Sequence, residues 1–134
     1  MWSVALSGID GFPVEVEAAK GGGLPRVQLV GLPDASLSEA KARVRSAVLA
    51  SGLSWPPGLV TINLSPASLP KAGTHFDLAI AVAALIAEEQ MELVSDTRTV
   101  LIGELSLDGR VRKVRGVLPA MLAASRAGFE RAIV

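Results

Sequence analysis

The chain has no cysteine and no tyrosine, a single histidine, and a formal net charge of zero. Each shortage removes a class of chemistry. Without cysteine there is no disulfide frame and no thiol nucleophile, a composition that also fits a reducing cytosol. One histidine and no cysteine exclude an ordinary zinc site. Carboxylates remain for magnesium, but no pair of acids is spaced as in a known metal loop, so no metal ligand is assigned. A balanced charge gives no overall pull toward nucleic acid or a membrane surface. Long apolar runs are missing as well. The longest, LAIAVAALIA at 78–87, falls far short of the roughly 20 residues of a membrane span and is expected to be a buried helix. The opening MWSVALSGIDG has no basic stretch ahead of an apolar one, so no signal peptide is expected there.

What is present is apolar material. Half of the 134 residues are hydrophobic, although the aromatics amount to two Trp and three Phe. That is one ordinary domain with enough for a core and too much for disorder. The last residues, FERAIV, stop within an apolar, strand-like segment, which suggests a fragment of a longer chain.

Strands are expected at 2–9 and at 12–18, where Val14 and Val16 alternate with Glu15 and Glu17, with Asp10-Gly11 in the turn between them. The glycines of GGGLP make a loop before a third strand at 26–32. Pro33-Asp34 opens a helix in which Asp34 caps and Ser36-x-x-Glu39 fits a capping box. Leu37, Ala40, Val44, Ala47 and Val48 form its buried stripe, Lys41, Arg43, Arg45 and Ser46 its polar face, and Gly52 its stop. After Trp55-Pro56-Pro57 comes a strand at 59–65, LVTINLS, whose β-branched residues suit an internal position. A helix at about 76–89, a strand at 99–107 turning at Asp108-Gly109 into RVRKV, a helix at about 116–127 and a strand from 131 complete the order. The fold class is therefore a mixed α/β (α+β) two-layer domain, a sheet with helices on one face.

The glycine-bearing turns GGGLPR and GLPDASLSEAK do not match G-x-x-x-x-G-K-[ST], and no other stretch does, so the chain is expected not to bind ATP by itself. His75, at the mouth of the apolar helix, has Ser65 and Ser68 upstream and Asp77 two residues on. A serine hydrolase needs a base beside its serine. The spacing is loose, and an acid in the first helical turn is expected on dipole grounds alone, so a structural histidine is the favoured reading. Arg110, Arg112, Lys113 and Arg115 put four cations into six residues beside a hairpin. They suit phosphate contacts, although a solvated strand edge that deters pairing is the favoured reading.

Three stretches, VQLVGLPDASLSEAKARVRSAVLASGL, TINLSPASLPKAGTHFDLAIAVAAL and LIGELSLDGRVRKVRGVLPAMLAASRAG, resemble in order the N-terminal domain of the magnesium-chelatase-like ComM/YifB family of AAA+ ATPases. The resemblance covers nearly the whole chain. It implies a cytoplasmic protein whose ATPase module follows this domain and binds ATP and magnesium. It also implies a homo-hexameric ring of sister subunits, no membrane, and a role in DNA branch migration during natural transformation.

Two of the motifs also resemble the proteolytic domain of Lon-type proteases, which implies that fold. By that resemblance His75, in Pro70-Lys71-Ala72-Gly73-Thr74-His75, falls on the nucleophilic serine, and Leu118, in Arg115-Gly116-Val117-Leu118, falls on the lysine base. Both members of the dyad are replaced, which implies a degenerate site. DNA contact is then expected at Arg110, Arg112, Lys113 and Arg115, with Lys71 nearby across the degenerate site. Two other readings stand beside this one: a residual peptidase using Ser65 or Ser68 with His75, and a chelatase-type subunit that inserts magnesium into a porphyrin.

Overall fold

The computed structural model describes residues 1–71, 73–92 and 98–134, and of Asp34 the backbone alone. Ala72 of the Pro-Lys-Ala-Gly turn and the capping side chain assigned to Asp34 lie outside the described residues. The strands are β1 (Trp2–Ser7), β2 (Asp10–Gly21), β3 (Arg26–Val30), β4 (Leu59–Ser65), β5 (Thr99–Leu101), β6 (Glu104–Leu105), β7 (Val111–Arg112) and β8 (Arg131–Ile133). The helices are α1 (Asp34–Ala50), α2 (Asp77–Ala87) and α3 (Val117–Arg126).

Six strands form one mixed sheet in the order β3-β4-β2-β1-β5-β8. The pairs β1–β2 and β2–β4 are antiparallel, and β3–β4, β1–β5 and β5–β8 are parallel. β4 is internal, as its alternation requires: Val60, Ile62 and Leu64 are fully buried. The small sheet β6–β7 is the hairpin turned by Asp108-Gly109, where Gly109 takes φ +91°.

The helices are not all on one face. Neighbouring residues of β1 enter different cores, Ala5 with α1 and α2, and Val4 with Ala120 and Ala124 of α3. Successive strand side chains point to opposite faces. So α1 and α2 cover one face and α3 covers the other, and the expected two layers are three. β5 repeats the pattern, with Leu101 in the first core and Val100 in the second.

Three local expectations are corrected in the same way. The first hairpin turns at Gly8-Ile9, with Gly8 at φ +63°, and Asp10 and Gly11 pair within the strands. Gly11 is glycine because α3 crosses there: a Cβ would lie 2.4 Å from the Ala123 Cβ. The strand expected at 99–107 is broken after Leu101. Gly103 leaves the sheet to receive the start of α2, its N–H donating to the His75 carbonyl and its carbonyl accepting from Leu78 N–H. At α1 the N-cap position is Pro33, no capping bond is made to it among the described side chains, and Ser36 lies inside the helix instead of at its cap.

Candidate functional site

The sequence-predicted dyad positions lie on different elements, His75 in the loop before α2 and Leu118 on α3. The loop from β4 to α2 carries Lys71, Thr74 and His75, and Gly73 at φ +105° turns it into the helix. His75 is 9 % exposed. Its Nε2 donates to the Val4 carbonyl of β1 at 2.8 Å, which places a proton on that nitrogen. Burial lowers the His75 pKa, against the smaller opposite pull of that carbonyl. Nδ1 faces backbone, since a Cβ on Gly73 would stand 2.9 Å from it.

Asp77, at the first position of α2, is 1 % exposed. Its Oδ2 accepts from Arg43 Nε at 2.6 Å and from Leu105 N–H at 3.1 Å, and its Oδ1 accepts from an Arg43 terminal nitrogen at 3.0 Å. Burial pushes its pKa above the ordinary carboxylate value even though Arg43 and the Leu105 N–H pull it down. Beside it the Thr74 hydroxyl donates to the Glu104 carboxylate. Arg43, Asp77, Thr74 and Glu104 thus tie α1, α2 and the β6–β7 hairpin together. Sequence reasoning placed Arg43 on a solvated face and assigned Thr74 and Glu104 no part. No local signal marks these pairs, whose members lie 34 and 30 positions apart.

The serine–histidine–aspartate arrangement is not assembled. Asp77 gives both oxygens to Arg43 and Leu105, and His75 gives Nε2 to a backbone carbonyl. The Ser65 hydroxyl accepts from Asn63 Nδ2 at 2.9 Å, and Ser68 sits exposed in a turn. Leu118, on α3, is 70 % exposed. It lines a groove of about 820 Å³ with Ile9, Phe12, Pro13 and Leu122, and His75 is not among the walls.

Lys71 is corrected more sharply. It is 2 % exposed, and its ammonium donates to the carbonyls of Pro66 and Leu69, the latter at 2.8 Å. Burial lowers its pKa. It pins the loop and offers nothing to a phosphate. The other predicted contacts are outside. Arg110, Arg112, Lys113 and Arg115 are exposed around the hairpin. Arg110 reaches Asp108 at 3.5 Å, and among the described residues the other three have no ion pair. Among the described residues no three His, Asp or Glu side chains converge as a metal ion requires, and no helix is long and apolar enough to cross a membrane.

A family model described as "Subunit ChlI of Mg-chelatase" matches residues 14–134. An uncharacterized protein of Mycobacterium tuberculosis is 54 % identical over 133 residues, 99 % of this chain and 26 % of its own length. YifB of Escherichia coli, also uncharacterized, is 42 % identical over 124 residues, 92 % of this chain and 24 % of its length. The competence protein ComM of Haemophilus influenzae is 39 % identical over 130 residues, 97 % of this chain and 26 % of its length. The chain thus spans about a quarter of the length of these relatives.

Proposed function

The chain belongs to the family of the ChlI subunit of Mg-chelatase, and on that premise we propose that it is a non-catalytic module, Lon-protease-like in fold, of an AAA+ ATPase related to ComM and YifB. In this reading the module helps sister subunits assemble into a homo-hexameric, cytoplasmic ring and guides DNA during recombination. ATP and magnesium belong to the ATPase module, because no stretch of this chain has the glycine-rich loop and lysine that cradle phosphates.

The observation that carries the reading is what stands at the two dyad positions. A serine–lysine dyad works because a desolvated lysine takes the serine proton. Here His75 is locked on the Val4 carbonyl and Leu118 is an exposed apolar side chain. What remains available to a partner is the basic hairpin, whose Arg112, Lys113 and Arg115 suit DNA phosphates. One copy offers few contacts, whereas six copies around a pore sum by avidity.

The test uses the longer protein with Arg112, Lys113 and Arg115 changed to Ser, compared with the parent for single-stranded and branched DNA. Weaker affinity and a shallower salt dependence in an intact ring are expected. Unchanged affinity and salt slope would assign the hairpin to a solvated edge. The family description favours a second reading, a chelatase-type subunit. ATPase activity stimulated by branched DNA supports the first reading, and activity stimulated only by a porphyrin with magnesium supports the second.

A further inference from the structure

A second surface lies where α1 ends and β3 begins. A cavity of about 400 Å³ is walled there by Arg26, Arg45, Leu49, Trp55, Pro56 and Pro57. Its apolar wall is fixed. Trp55 is half-buried against the main core and Pro56 is buried. The loop before them is held by Gln90, whose side-chain amide accepts from Ser54 N–H at 2.8 Å and donates to the Ser54 carbonyl at 2.5 Å. Arg26 and Arg45 are exposed, and neither has an ion pair among the described residues. Lys41, one turn before Arg45 on the same side of α1, has none there either.

Two guanidinium groups line one small cavity, and among the described residues no carboxylate is part of its wall. Arginine is the side chain whose planar fork matches phosphate. The indole and prolines beside them offer a rigid apolar face for a flat ring. One ligand chemistry supplies both, a phosphate carried next to an unpaired base. We propose that this cavity seats one nucleotide of a single nucleic-acid strand, its base against Trp55 and its flanking phosphates on Arg26 and Arg45. Stacking on an aromatic side chain needs an unpaired base, so a duplex does not fit. An acidic peptide brings the charge without the ring.

The hairpin lies close by. A Cβ on Gly109 would come within 2.5 Å of the Ser51 hydroxyl, so the hairpin tip packs on the end of the helix that lines the cavity. The inference rests on the DNA reading above, and its test separates the two.

Changing Trp2 to Phe leaves Trp55 as the sole indole and keeps an aromatic ring packed on Phe129. This chain is titrated with a short oligothymidylate at low salt, with its tryptophan emission and the anisotropy of a labelled oligonucleotide both followed. Saturable quenching is expected, with log affinity falling against log salt at a slope of about −1.4 for two phosphates on a single strand. Arg26→Ser with Arg45→Ser is expected to weaken binding roughly tenfold and flatten that slope. Thymidine monophosphate should quench far more weakly than the oligomer. Binding that survives both substitutions and a Trp55→Leu change, yet is lost in Arg112→Ser/Lys113→Ser, overturns the cavity and leaves the DNA reading standing. Binding that survives both sets overturns both, whereas no binding by the parent overturns the cavity and leaves the DNA reading to the test on the longer protein. Equal quenching by polyglutamate reassigns the cavity to acidic peptides and overturns the proposal.

Discussion

Arg43 on α1 holds Asp77 at the start of α2 with two hydrogen bonds, of 2.6 and 3.0 Å, and the same carboxylate receives Leu105 N–H from β6. One buried acid thus joins two helices and the hairpin. Removing one partner of such a pair leaves the other without compensation, at a cost of about 3 kcal/mol or more. Asp77→Ala is expected to lose about that much in urea denaturation. Asp77→Asn, which still accepts from Leu105, should lose less. Equal stability of parent and Asp77→Ala would show that the pair contributes nothing net.

His75 makes the fold sensitive to mild acid. Its folded pKa lies below the ordinary histidine value because burial disfavours the charged ring. Between that ordinary value, about 6.5, and the lowered folded value, the unfolded chain binds the extra proton. Stability therefore falls as pH drops through this window, by up to about 1.4 kcal/mol per pH unit from this one group. His75→Gln can keep the bond to Val4 and has no titration. Its stability should be flatter than that of the parent between about pH 5 and 7, read as urea midpoints across the range. Parallel curves would contradict the lowered pKa.

Gly31, just after β3, takes φ +101°, and a Cβ there would stand 2.4 Å from the Leu64 carbonyl oxygen. Both the conformation and the clash with backbone of an internal strand oppose any side chain. Gly31→Ala is expected to cost about 2 kcal/mol or more, seen as a fall in melting temperature. Gly22→Ala is the control, since nothing lies within 4 Å of its added Cβ and its φ is not in the left-handed region. A similar fall in both would mean that steric contact at Gly31 is not the cause.

Peptide hydrolysis is expected to be absent. Purified chain incubated with unfolded casein or fluorogenic peptides should show no turnover, because the side chains at the dyad positions neither attack nor accept a proton there. Turnover that disappears in Ser65→Ala, Ser68→Ala or His75→Ala would restore the peptidase reading.

The sequence by itself determined the elements whose signals are local. Alternation of Val60, Ile62 and Leu64 placed β4 at its observed bounds, 59–65. Three- and four-residue spacing placed α1 and its buried stripe, and Gly52 and Gly128 marked helix ends that take positive φ. The resemblance to ComM and YifB was equally legible, because it lies in contiguous motifs.

Only the tertiary structure decided which layer each helix joins. The buried runs at Ser3–Ala5 and Val100–Ile102 carried a trace of it, since a strand buried on both faces shows no apolar–polar alternation. It alone decided that Lys71 turns inward, that Arg43 leaves the polar face for Asp77, and that Trp55 meets Arg26 and Arg45. The physical reason is common to all of them. Periodicity reports how a residue relates to its own element, whereas a charge or a ring takes its environment from whichever distant segment packs against it.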